Sequence, residues 1–140
     1  MTTQNNPAIY AQATQYQLQS IVGGSIPVYE DFNRNWANEP MFLTWILRNI
    51  HQPVYTGSNK SVKGIDRPVI QINVFTAKSS DAWNITNTIL QSLHGYSGLY
   101  GGPTYGFQIS KADVDVLYKT YDNTVGLQHV IMDCTLDIPA

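Results

Sequence analysis

The stretch from Pro68 to Leu93, PVIQINVFTAKSSDAWNITNTILQSL, decides the fold. In its first part Ile70, Ile72 and Val74 point one way, and Val69, Gln71, Asn73 and Phe75 point the other. This period of two is that of a strand with one face on a core. Ser79, Ser80 and Asp81 follow as three candidate N-caps, because their side-chain oxygens can accept from the free N–H groups of a first helical turn. Ala82, Ile85, Ile89 and Leu93 then recur at three or four residues, with Thr86 and Leu90 beside them. Gly95 stands where a left-handed residue closes a helix. The stretch therefore predicts a strand and an amphipathic helix lying back across its sheet.

Outward from this unit, the chain predicts more strands than helices. Met1–Asn5 is a polar arm. Asn6-Pro7 opens a helix over Ala8–Val22, which ends at Gly23-Gly24. Its apolar positions include Tyr10, Leu18, Ile21 and Val22, and the opposite face carries Gln12, Gln15 and Gln19, fit for solvent or for a neighbour. Ile26–Tyr29 suits a short edge strand, since Pro27 cannot donate to a ladder. Met41–Ile50 alternates with Phe42, Thr44, Ile46 and Arg48 on one face and Leu43, Trp45, Leu47 and Asn49 on the other. His51–Arg67 has no pattern and reads as a long hairpin arm, of a length usually reserved for function. Gly95–Gly106, with its alternating glycines and tyrosines, reads as a second irregular segment. Phe107–Thr120 is strand-like, with Val114, Val116 and Tyr118 opposed to Asp113, Asp115 and Leu117. The clearest alternation is in Leu127–Ile138, with Val130, Met132, Cys134, Leu136 and Ile138 inward and His129, Ile131, Asp133, Thr135 and Asp137 outward. The expected class is α+β, a mostly antiparallel sheet with the central helix on one face and an N-terminal helix, forming one domain over residues 1–140.

Composition narrows the function. Charged residues are 13% of the chain, about half the usual ~25%, and aromatics are 11%, so much of the surface is expected to be covered. A formal charge of −2 offers no basic footprint for gripping nucleic acid. One cysteine makes no internal disulfide. No apolar run approaches the length of a membrane span and no secretory signal pattern is present, so a soluble protein is expected and Asn59-Lys-Ser61 and Asn84-Ile-Thr86 are chance glycosylation matches.

Chemistry is sparse. His51, His94 and His129 lack the spacing of a metal site, and His94, beside Gly95, suits a helix C-terminus. Cys134 is an inward position on a regular strand, hence a small hydrophobe. The glycines of 95–106 follow a helix into a strand and lack the Lys-Ser/Thr end of a phosphate loop. Asp113 with Asp115, and Asp133 with Asp137, are paired carboxylates on solvent faces, where solvation is the ordinary role. No catalytic residues, cofactor or metal site are expected, and the chain does not read as an enzyme.

Three stretches together resemble the tail-completion, or tail-terminator, proteins at the head–tail neck of long-tailed bacteriophages. Leu18-Gln-Ser-Ile-Val-Gly-Gly-Ser-Ile-Pro-Val-Tyr29 looks like the family's helix end, glycine break and entry strand. Val69–Ala77 with the helix 81–93 looks like its central strand and following helix. Asp122–Ile138, with Thr124-Val-Gly-Leu127, looks like its closing hairpin. The resemblance implies a structural virion protein, assembled in the host cytoplasm into a homohexameric ring. Such a ring caps the tail tube, stops its elongation, meets the head connector or stopper, and leaves a channel through which DNA passes. On this reading the expected contacts are Lys60 and Lys63 in one loop and Tyr96, Tyr100 and Tyr105 in the other, because aromatic anchors fit interface cores and lysines fit rims. Asp133 and Asp137 would face the channel, where their charge keeps DNA from adhering. The alternatives are another neck or baseplate component of similar fold, and a small-molecule or carbohydrate-binding module using Trp36, Trp45 or Tyr96.

Overall fold

The computed structural model describes residues 6–49 and 66–139. Helix α1 (Pro7–Val22) begins as Asn6 and Pro7 dictate: Asn6 Oδ1 accepts the Ile9 N–H at 3.3 Å, and proline occupies the first turn, where its missing donor is not needed. Strand β1 (Val28–Glu30) follows, then a single 3-10 turn (Trp36–Asn38), β2 (Met41–Asn49), β3 (Val69–Thr76) and helix α2 (Ser79–Leu93). The chain continues through β4 (Gly98–Tyr100), the short helix α3 (Gly102–Tyr105), β5 (Phe107–Ile109), β6 (Lys111–Asp122) and β7 (Leu127–Asp137). Among the described residues the main sheet has five strands in the order β1-β2-β3-β7-β6, antiparallel except for the parallel pair β1/β2. This is the expected α+β architecture.

One face of the sheet holds the core. Leu43 and Trp45 of β2, Ile70, Ile72 and Val74 of β3, and Val130, Met132, Cys134 and Leu136 of β7 are buried there. Tyr10, Ala13 and Leu18 of α1 and Ala82, Ile85, Ile89 and Leu93 of α2 close over them. Each large side chain so buried contributes roughly 1.5–3 kcal/mol, and this apolar interdigitation is what holds both helices to the sheet. The inward and outward sets of β2, β3 and β7 are those that the period of two predicts.

Five local readings need correction. The N-cap of α2 is Lys78, which makes no side-chain cap, so Ser79, Ser80 and Asp81 lie inside the first turn; there Asp81 opposes the positive end of the helix dipole. His94 is the C-cap residue, but its side chain caps no carbonyl: Nδ1 accepts the Val114 N–H at 2.9 Å and ties the helix end to β6. Residues 95–106 are ordered, with β4 and β5 forming a separate two-stranded sheet packed on α1. The strand read as Phe107–Thr120 breaks at Ser110, between β5 and β6. Finally, β6 carries a bulge between Val116 and Tyr118, after which Tyr118 pairs with Ile131, so Tyr118 turns to the outer face that strict alternation had denied it.

Two ties hold the chain just before β3. Asp66, which the pattern reading left in the loop, is 1% exposed, exchanges both backbone bonds with Ile138 (2.9 and 2.8 Å) and accepts the Tyr10 hydroxyl. Arg67 Nε donates to Asp137 Oδ1 at 3.0 Å. Gly95, with φ +78, closes α2 in the left-handed conformation expected of it.

Candidate interaction surfaces

On the glutamine face of α1, Gln15 and Gln19 bond within the fold, whereas Gln12 stays exposed. Gln15 donates to the Val28 carbonyl at 2.9 Å and accepts from Trp45 Nε1 at 2.7 Å, while Gln19 donates to the carbonyls of Gly23 and Ile26. These bonds occupy an edge that a three-residue strand would otherwise leave open. Beside them lies an open groove of about 510 Å³ between α1, β1 and α3, walled by Tyr16 and Tyr105, each 47% exposed, with Glu30 at one side. Two exposed tyrosines flanking a groove supply apolar contact area at small entropic cost, the composition of an interface core.

The outer face of the sheet carries a second aromatic surface. Phe42 stacks on Phe75 (centroids 5.0 Å apart) and Phe75 on His129 (4.2 Å), a ladder across three neighbouring strands. Residues 31–36 fold over one end of it. Asp31 takes a left-handed φ of 64°, which swings the chain off β1, and Glu39 pins the segment by accepting from Tyr29 (2.7 Å) and Asn33 (3.0 Å). Burial lowers the pKa of His129, only partly offset by nearby Asp122, and its Nε2 bonds Asn73 Oδ1 at 2.9 Å. Ile46, Leu117 and Tyr118 extend the exposed apolar area over this face.

Among the described residues, the three predicted contact tyrosines do not share one surface. Lys60 and Lys63 lie outside the described residues. Tyr100 is a core residue, 1% exposed, with its hydroxyl donating to Thr14 Oγ1 at 2.9 Å and its ring 5.7 Å from Phe107; it has no surface to offer a partner. Tyr96 is half-buried and donates to the Leu99 carbonyl at 2.7 Å. Tyr105 alone of the three stands exposed, at the α1 groove. Asp133 and Asp137 are on the outer face as read, yet neither is a bare charge: Asp133 is paired with Arg48 and Asp137 with Arg67. Of the pocket tryptophans, Trp45 lines the α1 groove but is 1% exposed with its indole bonded to Gln15, and Trp36 borders the outer-face cavity.

The pattern reading missed Tyr16 and the Phe42–Phe75–His129 ladder. The signal for the ladder was present, since the same alternation puts all three on the face away from the helices; Tyr16 needed its neighbour Tyr105, which only the folded 95–106 segment supplies. Among the described residues no group of histidine, cysteine and carboxylate side chains is arranged to hold a metal ion, and no helix is long and apolar enough to cross a membrane.

No protein-family model matches the sequence, and no curated protein does. Among solved structures, the fold matches a chain of the virion of a native gene transfer agent particle, with a TM-score of 0.59 and 12% sequence identity. The match covers 94% of this chain and 92% of that one, so the likeness is to a whole fold, not to a shared motif.

Proposed function

We propose that the chain is a non-enzymatic structural protein of a phage-like virion, and within that class a tail terminator. It would assemble as a ring, capping the tail tube, meeting the head connector and leaving a passage for DNA. The observation that carries the reading is the end-to-end likeness of fold to a chain of a gene transfer agent virion. The finer assignment is supported by the order of the three stretches that resemble the tail-terminator family, all of which lie in α1–β1, β3–α2 and the β6–β7 hairpin. Two exposed aromatic surfaces on opposite sides of the sheet suit a protein that contacts more than one neighbour.

Light scattering on a size-exclusion column tests the ring directly. The expected mass is that of six subunits of 15.7 kDa each, either alone or after addition of tail-tube protein. Electron microscopy of tubes incubated with the protein is expected to show density at one end and shorter tubes. A monomer that neither binds nor shortens tubes would overturn the terminator assignment, and binding along tube walls or at a baseplate would move the protein to another station in the virion.

A further inference from the structure

On the outer face, the 31–36 segment and the β6–β7 turn enclose a cavity of about 290 Å³, comparable with one large side chain and too small for a helix. Its walls are aromatic: Phe32, Trp36, Phe42 and the stacked pair Phe75–His129. Among the described residues its charged lining groups are two carboxylates, Asp31 and Asp122. Both are positioned by the backbone. The Asp31 N–H donates to the Trp45 carbonyl at 2.8 Å, holding the left-handed residue in place. Asp122 Oδ1 accepts the Thr124 N–H at 2.9 Å, which fixes its carboxylate at the turn. His129 bonds Asn73 Oδ1 through Nε2 at 2.9 Å, and burial disfavours its protonated form.

Aromatic faces present negative potential, and carboxylates add to it, so the cavity is complementary to a cation. The flat, weakly hydrated guanidinium group suits an aromatic-walled slot better than the compact, strongly hydrated ammonium of lysine, and its fork of donors can bond a carboxylate at each side. We propose that this cavity receives an arginine side chain presented by a partner protein, bound between the aromatic walls and the carboxylates of Asp31 and Asp122. The inference rests on reading the protein as an assembly component, but its test does not require assembly.

The probe is Nα-acetyl-arginine N-methylamide, titrated at constant ionic strength while tryptophan fluorescence is followed; Trp36→Phe assigns the response to the cavity. Saturable binding is expected in the millimolar range. The citrulline counterpart, equal in shape and uncharged, is expected to bind about 10-fold more weakly, as is the arginine probe to Asp31→Asn/Asp122→Asn, the size of a desolvated cation–aromatic contact. Both asparagines tolerate the native backbone and retain the turn acceptor, and a melting curve checks that the double variant is folded. Equal affinity for the citrulline compound, unchanged binding to the double variant, or no saturable response would overturn the proposal. A hexamer that ignores the probe would remove this site and leave the ring; a monomer that binds the probe but neither binds nor shortens tubes would support the site and count against the ring.

Discussion

Single residues show how burial sets chemistry in this chain. The Cys134 thiol is fully buried, and burial, with Asp113 and Asp133 adding to it, pushes its pKa up to about 12 from 9.0. A raised folded-state pKa stabilises the fold fully below the unfolded value and loses that contribution as pH rises through the folded one. Stability is therefore expected to fall between about pH 9 and pH 12, less steeply in Cys134→Ala. Thiol reagents at pH 8 should label native protein only at the rate of unfolding. His129 has the opposite sign: its lowered pKa gives stability present above the unfolded value of 6.5 and lost as pH falls below it. Urea midpoints at successive pH values, in wild type and His129→Gln, test this, and a variant that keeps the full acid dependence would refute it. Period-two reading placed both residues on their correct faces. It could not show that Asp133 and Asp137 are held by Arg48 and Arg67, because those partners come from β2 and from the residue before β3, far away in sequence.

At the scale of elements, the glycine–tyrosine segment departs most from its sequence reading. Glycines and tyrosines in alternation look irregular, yet here the glycines permit close approach. Gly101 has φ +98, and a Cβ there would sit 2.3 Å from Ala13 Cβ and 2.7 Å from Ala13 Cα. Gly101→Ala is expected to cost about 1–3 kcal/mol or more and to loosen β4, α3 and β5 from α1, read as lost hydrogen-exchange protection in 98–109. Tyr100→Phe, which removes only the bond to Thr14, should cost about 1 kcal/mol, and Tyr100→Ala about 3–5 kcal/mol. Alanine at Tyr96, Tyr100 and Tyr105 together would thus confuse folding with assembly; Tyr16→Ala/Tyr105→Ala isolates the surface question. The bulge before Tyr118 was illegible for a related reason, since an inserted residue leaves composition unchanged while inverting every face after it.

For the whole molecule, the α+β class and the course of β2, β3, α2 and β7 were legible because each has an apolar face of one clear period. The parallel β1/β2 pair was not, since three residues carry too little pattern to fix direction. Nor was Asp66 legible as a core residue, because an isolated polar residue gives no period at all. Removing residues 52–65 and bridging β2 to β3 is expected to leave the melting temperature within a few degrees, as Asn49 and Val69 already pair. Extending the deletion through Asp66 should lower it sharply, by loss of the bonds to Ile138 and Tyr10. If the ring reading holds, the shorter deletion should still weaken assembly in light scattering.

The position of β7 also bears on synthesis. Among the described residues it is the last strand in sequence, but it lies inside the sheet, between β3 and β6, and its neighbour Ile138 closes onto Asp66. The two halves of the sheet therefore cannot join until Asp137 has left the ribosome tunnel, and until then the edges of β3 and β6 that β7 bridges stay open. A chain released before β7 therefore lacks the outer aromatic surface, which needs His129 stacked on Phe75, and cannot present it to a neighbour.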